Sequence, residues 1–138
     1  MGEWIMNKII IASHGELALG MKNTVEFFGG SEVEYVEQTL TDTGFEDKVI
    51  EILTKYKDDN CVVFTDLYGG SVNQCFFKNL KDFNFHLVTG MNLAVILECV
   101  LASVEIDGEF IRNAIKMSKN QFCYMNDLVN IASDDDDD

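Results

Sequence analysis

At 138 residues, 47% of them hydrophobic, the chain is long enough to bury one substantial core and too short for two. Its formal net charge of −14 excludes the electrostatic footprint of a nucleic-acid-binding protein, because no basic surface is available to release counterions from a phosphate backbone. No apolar run approaches the roughly 18 residues of a membrane-spanning helix, and no cationic-then-apolar leader stands at the N-terminus, so a cytoplasmic location is expected.

Residues 1–7 are expected to be a leader, partly an expression remnant, because Met6-Asn7-Lys8 looks like a natural start. From Lys8 to Ser13, three consecutive isoleucines predict a strand buried on both faces that ends at His14. A helix follows at once, with Leu17, Met21, Thr24 or Val25, and Phe28 on one stripe, until Gly29-Gly30 stops it. Val33 to Gln38 alternates as a second strand. Thr43 and Glu46, at capping-box spacing, then open a helix whose apolar face is Phe45, Val49, Ile52, Leu53 and Tyr56.

Cys61 to Thr65 is a third buried strand, stopping at Asp66 in a glycine-rich turn. Ser71 with Gln74 has the spacing of a second capping box, for a helix through Val72, Cys75, Phe76, Asn79 and Leu80. Phe83 to Thr89 predicts a fourth strand and Gly90-Met91-Asn92 a turn. A strongly apolar helix follows through Leu93, Ile96, Leu97, Val100, Leu101 and Val104, and Asp107 caps one more helix to about Lys119. Phe122 to Ile131 has strand composition but arrives after a helix pair rather than a single crossover, which lets it run antiparallel. The domain is thus expected over residues 8–131, with 132–138 an acidic disordered tail. Without the run Asp134 to Asp138 the chain still carries −9.

Strands alternating with helices specify an α/β fold with a doubly wound, mostly parallel sheet, whose commonest small version orders its strands 2-1-3-4. That order sets the strand ending at His14 beside the strand ending at Asp66, at the reversal point where such sheets bind ligands. A histidine with one ring nitrogen donating to a carboxylate has its tautomer fixed and its other nitrogen free as nucleophile or base. His14 and Asp66 are therefore the candidate catalytic pair. The N–H groups of Gly70, Ser71 and Val72 and the Ser71 hydroxyl are candidates to meet charge on a transferred phosphoryl group. Ser13, Gly15, Leu67 and Gly69, in the same turns, join them as candidate phosphoryl-binding residues. The turn Thr89 to Asn92 should reach the same edge. No lysine or arginine falls in these turns, which argues for transient phosphoryl binding by a carrier rather than the polyphosphate grip of a kinase. His86, inside the fourth strand, reads as structural. Cys61, Cys75, Cys99 and Cys123 form no Cys-x-x-Cys pair, so reduced thiols are expected and neither a metal nor a cofactor is.

Three stretches and one further residue, in this order and spacing, carry a family resemblance. They are Ile9-Ile10-Ile11-Ala12-Ser13-His14-Gly15, Phe64-Thr65-Asp66-Leu67-Tyr68-Gly69-Gly70-Ser71, Asn73, and Thr89-Gly90-Met91-Asn92. Over about Lys8 to Ile131 the chain resembles the mannose-family IIA domain of the bacterial phosphoenolpyruvate-dependent sugar phosphotransferase system. The resemblance implies that His14 accepts a phosphoryl group, on Nε2, from the phosphohistidine of the carrier protein HPr and passes it to a IIB component. Asp66 would hold the ring, and Ser71 with the turn N–H groups would receive the phosphoryl oxygens. The sugar would be met by the membrane components, so contact with the membrane is indirect. A homodimer is implied as well, with Phe122 to Ile131 exchanged between subunits as an antiparallel strand. Two departures stand out. Val72 replaces the family's usual proline, which bears on the stiffness of the turn. Leu67-Tyr68 replaces an aromatic residue or threonine pair, removing a hydroxyl donor for which Ser13 is expected to compensate.

The same fold and histidine would serve the phosphotransfer subunit of a dihydroxyacetone kinase. Two readings come from other classes. A non-catalytic ligand-binding α/β domain would need a longer glycine fingerprint than Ser13-His14-Gly15-Glu16 supplies. A hydrolase built on Ser71, His14 and Asp66 would lack the Gly-x-Ser-x-Gly elbow.

Overall fold

Every second residue of the first strand, β1 (Asn7–His14), faces a different half of the core, and both halves are apolar. Ile9 and Ile11 pack on one side of the sheet with Val62, Phe64 and Val88, while Ile10 and Ala12 pack on the other with Val36, Cys61 and Val63. A strand with no polar face needs helices above and below it. The computed structural model describes residues 5–30 and 33–129, and in it the sheet is so covered. The chain runs β1, α1 (Leu17–Phe27), β2 (Glu34–Gln38), α2 (Phe45–Lys55), β3 (Asn60–Thr65), α3 (Ser71–Lys78), β4 (His86–Thr89), α4 (Leu93–Val100) and α5 (Gly108–Ser118). All strand pairs are parallel and the order is β2-β1-β3-β4. Helices α1, α4 and α5 cover one face and α2 and α3 the other. This is the doubly wound α/β arrangement expected from the alternation of elements.

Phe64 lies in the middle of β3, fully buried and in register with Ile11 on one side and Val88 on the other. Phe64→Ala removes a ring that surrounding backbone cannot collapse to fill. The expected loss is about 3–5 kcal/mol of unfolding free energy, read as a lowered urea midpoint with unchanged slope.

Several local expectations are corrected. Asn7, placed in the leader by sequence, is the first residue of β1. Its side chain accepts from Asn60 Nδ2 (2.9 Å) and from the Ile106 N–H (3.0 Å) and donates to Val104 O (2.7 Å). The inward stripe of α1 is Ala18 and Val25, both buried, with Met21 half-buried between them and Leu17 and Phe28 exposed, so the helix is rotated from the stripe expected. Helix α4 ends at Val100, short of Val104, with Leu101 and Val104 exposed. Neither capping box forms. Gly44 and Gly70 occupy the N-cap positions of α2 and α3. By contrast Asn92 and Asp107 do cap, accepting from Val95 N (2.8 Å) and Phe110 N (2.8 Å).

The segment Phe122 to Ile131 lies within the described residues only as far as Val129. That part pairs with no strand, and 126–129 form a helical turn. Phe122, Tyr124, Met125 and Val129 are exposed. Apolar alternation becomes a strand only where it pairs with a neighbouring strand, and among the described residues this segment pairs with none. The residues expected as the acidic tail lie outside the described residues.

Cys61, Cys75 and Cys99 are buried free thiols, and Cys123 is exposed. Burial pushes the Cys61 and Cys99 thiols up to about 11, so both stay protonated and unreactive.

Candidate functional site

Both β1 and β3 end at the same edge of the sheet, and the crossover order makes them direct neighbours there. His14 is the last residue of β1 and Asp66 the first after β3. Asp66 Oδ2 accepts two bonds from His14, one from its main-chain N–H (2.8 Å) and one from ring Nδ1 (2.8 Å). Oδ1 accepts from the Leu67 N–H (3.0 Å). The side chain of Asp66 is only 8% exposed while that of His14 is 41% exposed. Burial pushes the Asp66 carboxyl up, but the main-chain and ring N–H groups of His14 together outweigh it and hold the carboxyl below its ordinary value. An ionised Asp66 at 2.8 Å requires a proton on Nδ1, which leaves Nε2 as the nitrogen turned outward.

Nε2 lies 3.1 Å from Ser71 Oγ. Ser71 is the first residue of α3 rather than its cap, which frees its hydroxyl from the helix. The first intrahelical bond of α3 runs from Gln74 N to Gly70 O (3.0 Å), so the N–H groups of Ser71, Val72 and Asn73 have no intrahelical acceptor. The positive end of the helix dipole therefore opens beside the free ring nitrogen. Gly70 was expected to offer its N–H as well, but that group closes the turn onto Leu67 O (3.1 Å).

Gly70 has a different role. Its φ of −75° suits any residue, yet a Cβ built there would stand 2.8 Å from His14 Cε1 and 3.3 Å from the Leu67 carbonyl. The glycine makes room for the imidazole. Gly70→Ala is expected to push the ring off both Asp66 and Ser71 and to slow any chemistry at Nε2 about a hundredfold, with little change in melting temperature. Paired rate and melting measurements check this.

The turn between β3 and α3 is held by side chains that follow it. Asn73 accepts from the buried Thr65 hydroxyl (2.8 Å) and donates to Tyr68 O (3.1 Å), and Gln74 Nε2 donates to Gly69 O (3.2 Å). These bonds supply stiffness that a proline at position 72 would otherwise add, while Val72 itself is fully buried among α2, α3 and the sheet.

The other sequence candidates divide. Ser13 is fully buried, and its hydroxyl accepts from the Ala18 N–H (2.7 Å), securing the first turn of α1. It faces inward and does not compensate for a missing donor. Gly15, at φ +61°, directs its N–H to Gln38 O (2.9 Å) and shapes the turn after β1. Leu67 gives its N–H to Asp66, and its side chain is exposed. The turn after β4 reaches the edge through Met91 N–H on Thr65 O (3.1 Å), with Asn92 occupied as a helix cap. Among the described residues no three His, Cys, Asp or Glu side chains come together to hold a metal.

Sequence reasoning missed Gln38. The Ser71 hydroxyl donates to its Oε1 at 2.6 Å. The signal was present in outline, because the order 2-1-3-4 brings the end of β2 against the end of β1, and His14 and Gln38 are register partners.

A family model described as the PTS system fructose IIA component, EIIA-man, matches residues 8–116. The chain belongs to the EIIA-man family. Solved structures agree with this placement of the fold. The chain superimposes with a TM-score of 0.77 on a Klebsiella pneumoniae protein provisionally described as a phosphoenolpyruvate-dependent sugar phosphotransferase system permease, at 28% identity over 91% of this chain and 95% of that one. The mannose/sorbose-specific IIA subunit from Enterococcus faecalis gives 0.80 at 22% identity, covering 87% and 95%. The IIA protein associated with the fucose utilization operon of Streptococcus pneumoniae gives 0.77 at 24% identity, covering 91% and 97%. No curated protein is similar enough in sequence to match. As an EIIA-man member the chain is a component of a sugar phosphotransferase system. Among its described residues no helix is long and apolar enough to cross a membrane.

Proposed function

We propose that this EIIA-man chain is a phosphohistidine relay. His14 Nε2 attacks the phosphorus of the phosphohistidine on HPr, the new N–P bond forms as the old one breaks with its electron pair on the departing nitrogen, and the group then moves on to a IIB component. The observation that carries this reading is the pair of contacts on one imidazole. Asp66 accepts a hydrogen bond from the Nδ1–H at 2.8 Å, and the other nitrogen opens toward the N-terminus of α3. Asp66 keeps the lone pair on Nε2 and steadies positive charge developing on the ring during attack. Phosphoryl oxygens find the N–H groups of Ser71, Val72 and Asn73 and the Ser71 hydroxyl. With no lysine or arginine in these turns, the group is held loosely enough to leave again. Incubation with phosphoenolpyruvate, enzyme I and HPr is expected to place acid-labile, base-stable phosphate on the chain, and a chain that stays unlabelled would overturn the reading.

One observation favours a hydrolase, since Ser71, His14 and Asp66 line up as a nucleophile, base and orienting carboxylate. The Ser71 proton opposes it. It is given to Gln38 at 2.6 Å rather than to Nε2 at 3.1 Å, so the hydroxyl is not activated. A serine-directed fluorophosphonate is accordingly expected to leave Ser71 unmodified.

The homodimer is part of the same proposal. β4 ends the sheet, and the exposed apolar side chains of Phe122, Tyr124, Met125 and Val129 follow α5 without a ladder partner among the described residues. Truncation before Phe122 should turn a dimer into a monomer in solution mass measurements, whereas an unchanged dimer would exclude strand exchange.

A further inference from the structure

The donors around Nε2 are few, and one of them faces the wrong way for a phosphoryl group. A serine hydroxyl carries a single proton. In the structure the Ser71 proton goes to Gln38 Oε1 at 2.6 Å, so Ser71 presents a lone pair toward His14 Nε2 at 3.1 Å. That arrangement suits a resting site, because Ser71 does not donate to Nε2 and the ring lone pair stays free for attack. It does not suit a phosphorylated one. An anionic phosphoryl oxygen placed on Nε2 would meet a serine lone pair and, beyond it, the carbonyl end of an amide.

Gln38 is built to change this without moving its backbone. Its main chain is fixed twice, by the parallel register with His14 and by its carbonyl, which accepts from the Gly15 N–H at 2.9 Å. Only the side chain is free. Rotation of the terminal amide by half a turn exchanges the acceptor Oε1 for the two-donor Nε2 at nearly the same place. Gln38 then donates to Ser71 Oγ, and the Ser71 proton is released toward a phosphoryl oxygen.

We propose that Gln38 is a positioning residue for phosphoryl transfer, its amide turning over when His14 is phosphorylated so that it donates to the Ser71 hydroxyl instead of accepting from it. This rests on the relay reading of His14. It adds a neutral donor to a site that lacks cationic ones, and it draws β2, one of the two edge strands of the described sheet, into chemistry otherwise carried by β1 and the turn after β3. No bond to Gln38 forms or breaks, and the phosphoryl group still moves between two ring nitrogens.

The test uses the full chain, phosphoenolpyruvate, enzyme I and HPr, with native protein, Gln38→Glu and Gln38→Leu. The glutamate is isosteric but only accepts, so it keeps the Ser71 proton and adds negative charge. The leucine removes both functions. Both variants are expected to lower the maximal rate of His14 phosphorylation roughly tenfold or more, the scale of one hydrogen bond to a charged group, while the concentration of phospho-HPr giving half that rate stays unchanged. In the native chain the ¹⁵N side-chain amide resonances of Gln38 should shift on phosphorylation. That measurement stands even if Gln38→Leu does not fold. Native labelling with full-rate variants, or with an amide signal indifferent to phosphorylation, overturns the role of Gln38 and leaves the relay intact. A native chain that takes up no phosphate overturns the relay and this inference with it.

Discussion

His14→Ala is expected to take up no phosphate from phospho-HPr, a loss of the entire signal rather than a fraction of it, and to melt close to the parent temperature. The fold does not depend on this ring. Its side chain is 41% exposed and stands at the end of β1, beyond the isoleucines that fill the two halves of the core. The proposed relay depends on it wholly, because transfer between phosphohistidines needs a nitrogen nucleophile and the chain has one other histidine. That one, His86, lies in β4 and is not among the groups bonded to Asp66 or Ser71. His14→Gln should behave as His14→Ala does, since an amide can imitate the hydrogen bonds of the ring but not its lone pair. Radiolabel retained by either variant at the parent level would put the acceptor elsewhere.

Asp66→Ala is expected to slow phosphoryl transfer about a hundredfold or more, with the fold kept. Three N–H groups lose their acceptor together, those of His14, its ring and Leu67, so the imidazole is free both to turn and to carry its proton on either nitrogen. Asp66→Asn separates the two effects, holding some of the geometry without the charge that favours Nδ1–H. Stopped-flow transfer from phospho-HPr measures both, and unchanged rates would remove the role assigned to Asp66. An acid limit accompanies this. The folded-state pKa of Asp66 is depressed, so the stabilisation it gives is complete above the ordinary aspartate value of about 3.9 and is lost as pH falls through the lower folded value. The parent should therefore lose more stability than Asp66→Ala on titration below about pH 4, as followed by thermal melting.

Much of this arrangement could be read from the sequence because it follows from periods and topology. Ile9 to Ile11 declare a strand without a polar face, alternation of strands with helices declares the parallel sheet, and the order 2-1-3-4 then makes neighbours of two residues 52 positions apart. What depended on local competition was less legible. Ser71 and Gln74 have capping-box spacing, but Gly70 takes the cap because the Ser71 hydroxyl has Gln38 to bond, and Gln74 instead secures Gly69. Ser13 reads as a site hydroxyl until the start of α1 is seen to claim it. Gln38 was harder to single out for another reason. A polar residue at the end of a strand gains meaning only from register, and a shift of one residue would have placed Glu37 or Thr39 opposite His14. The segment after α5 carries strand-like composition, yet its described part pairs with no strand.

The central claim is that a carboxylate fixes which nitrogen of His14 is the nucleophile, and ¹⁵N and ³¹P NMR of the phosphorylated chain tests it most directly. Phosphorus coupled to Nε2, with Nδ1 still protonated against Asp66, is the result this account predicts. Phosphate on Nδ1 would contradict it, because that nitrogen is already bonded to Asp66 at 2.8 Å.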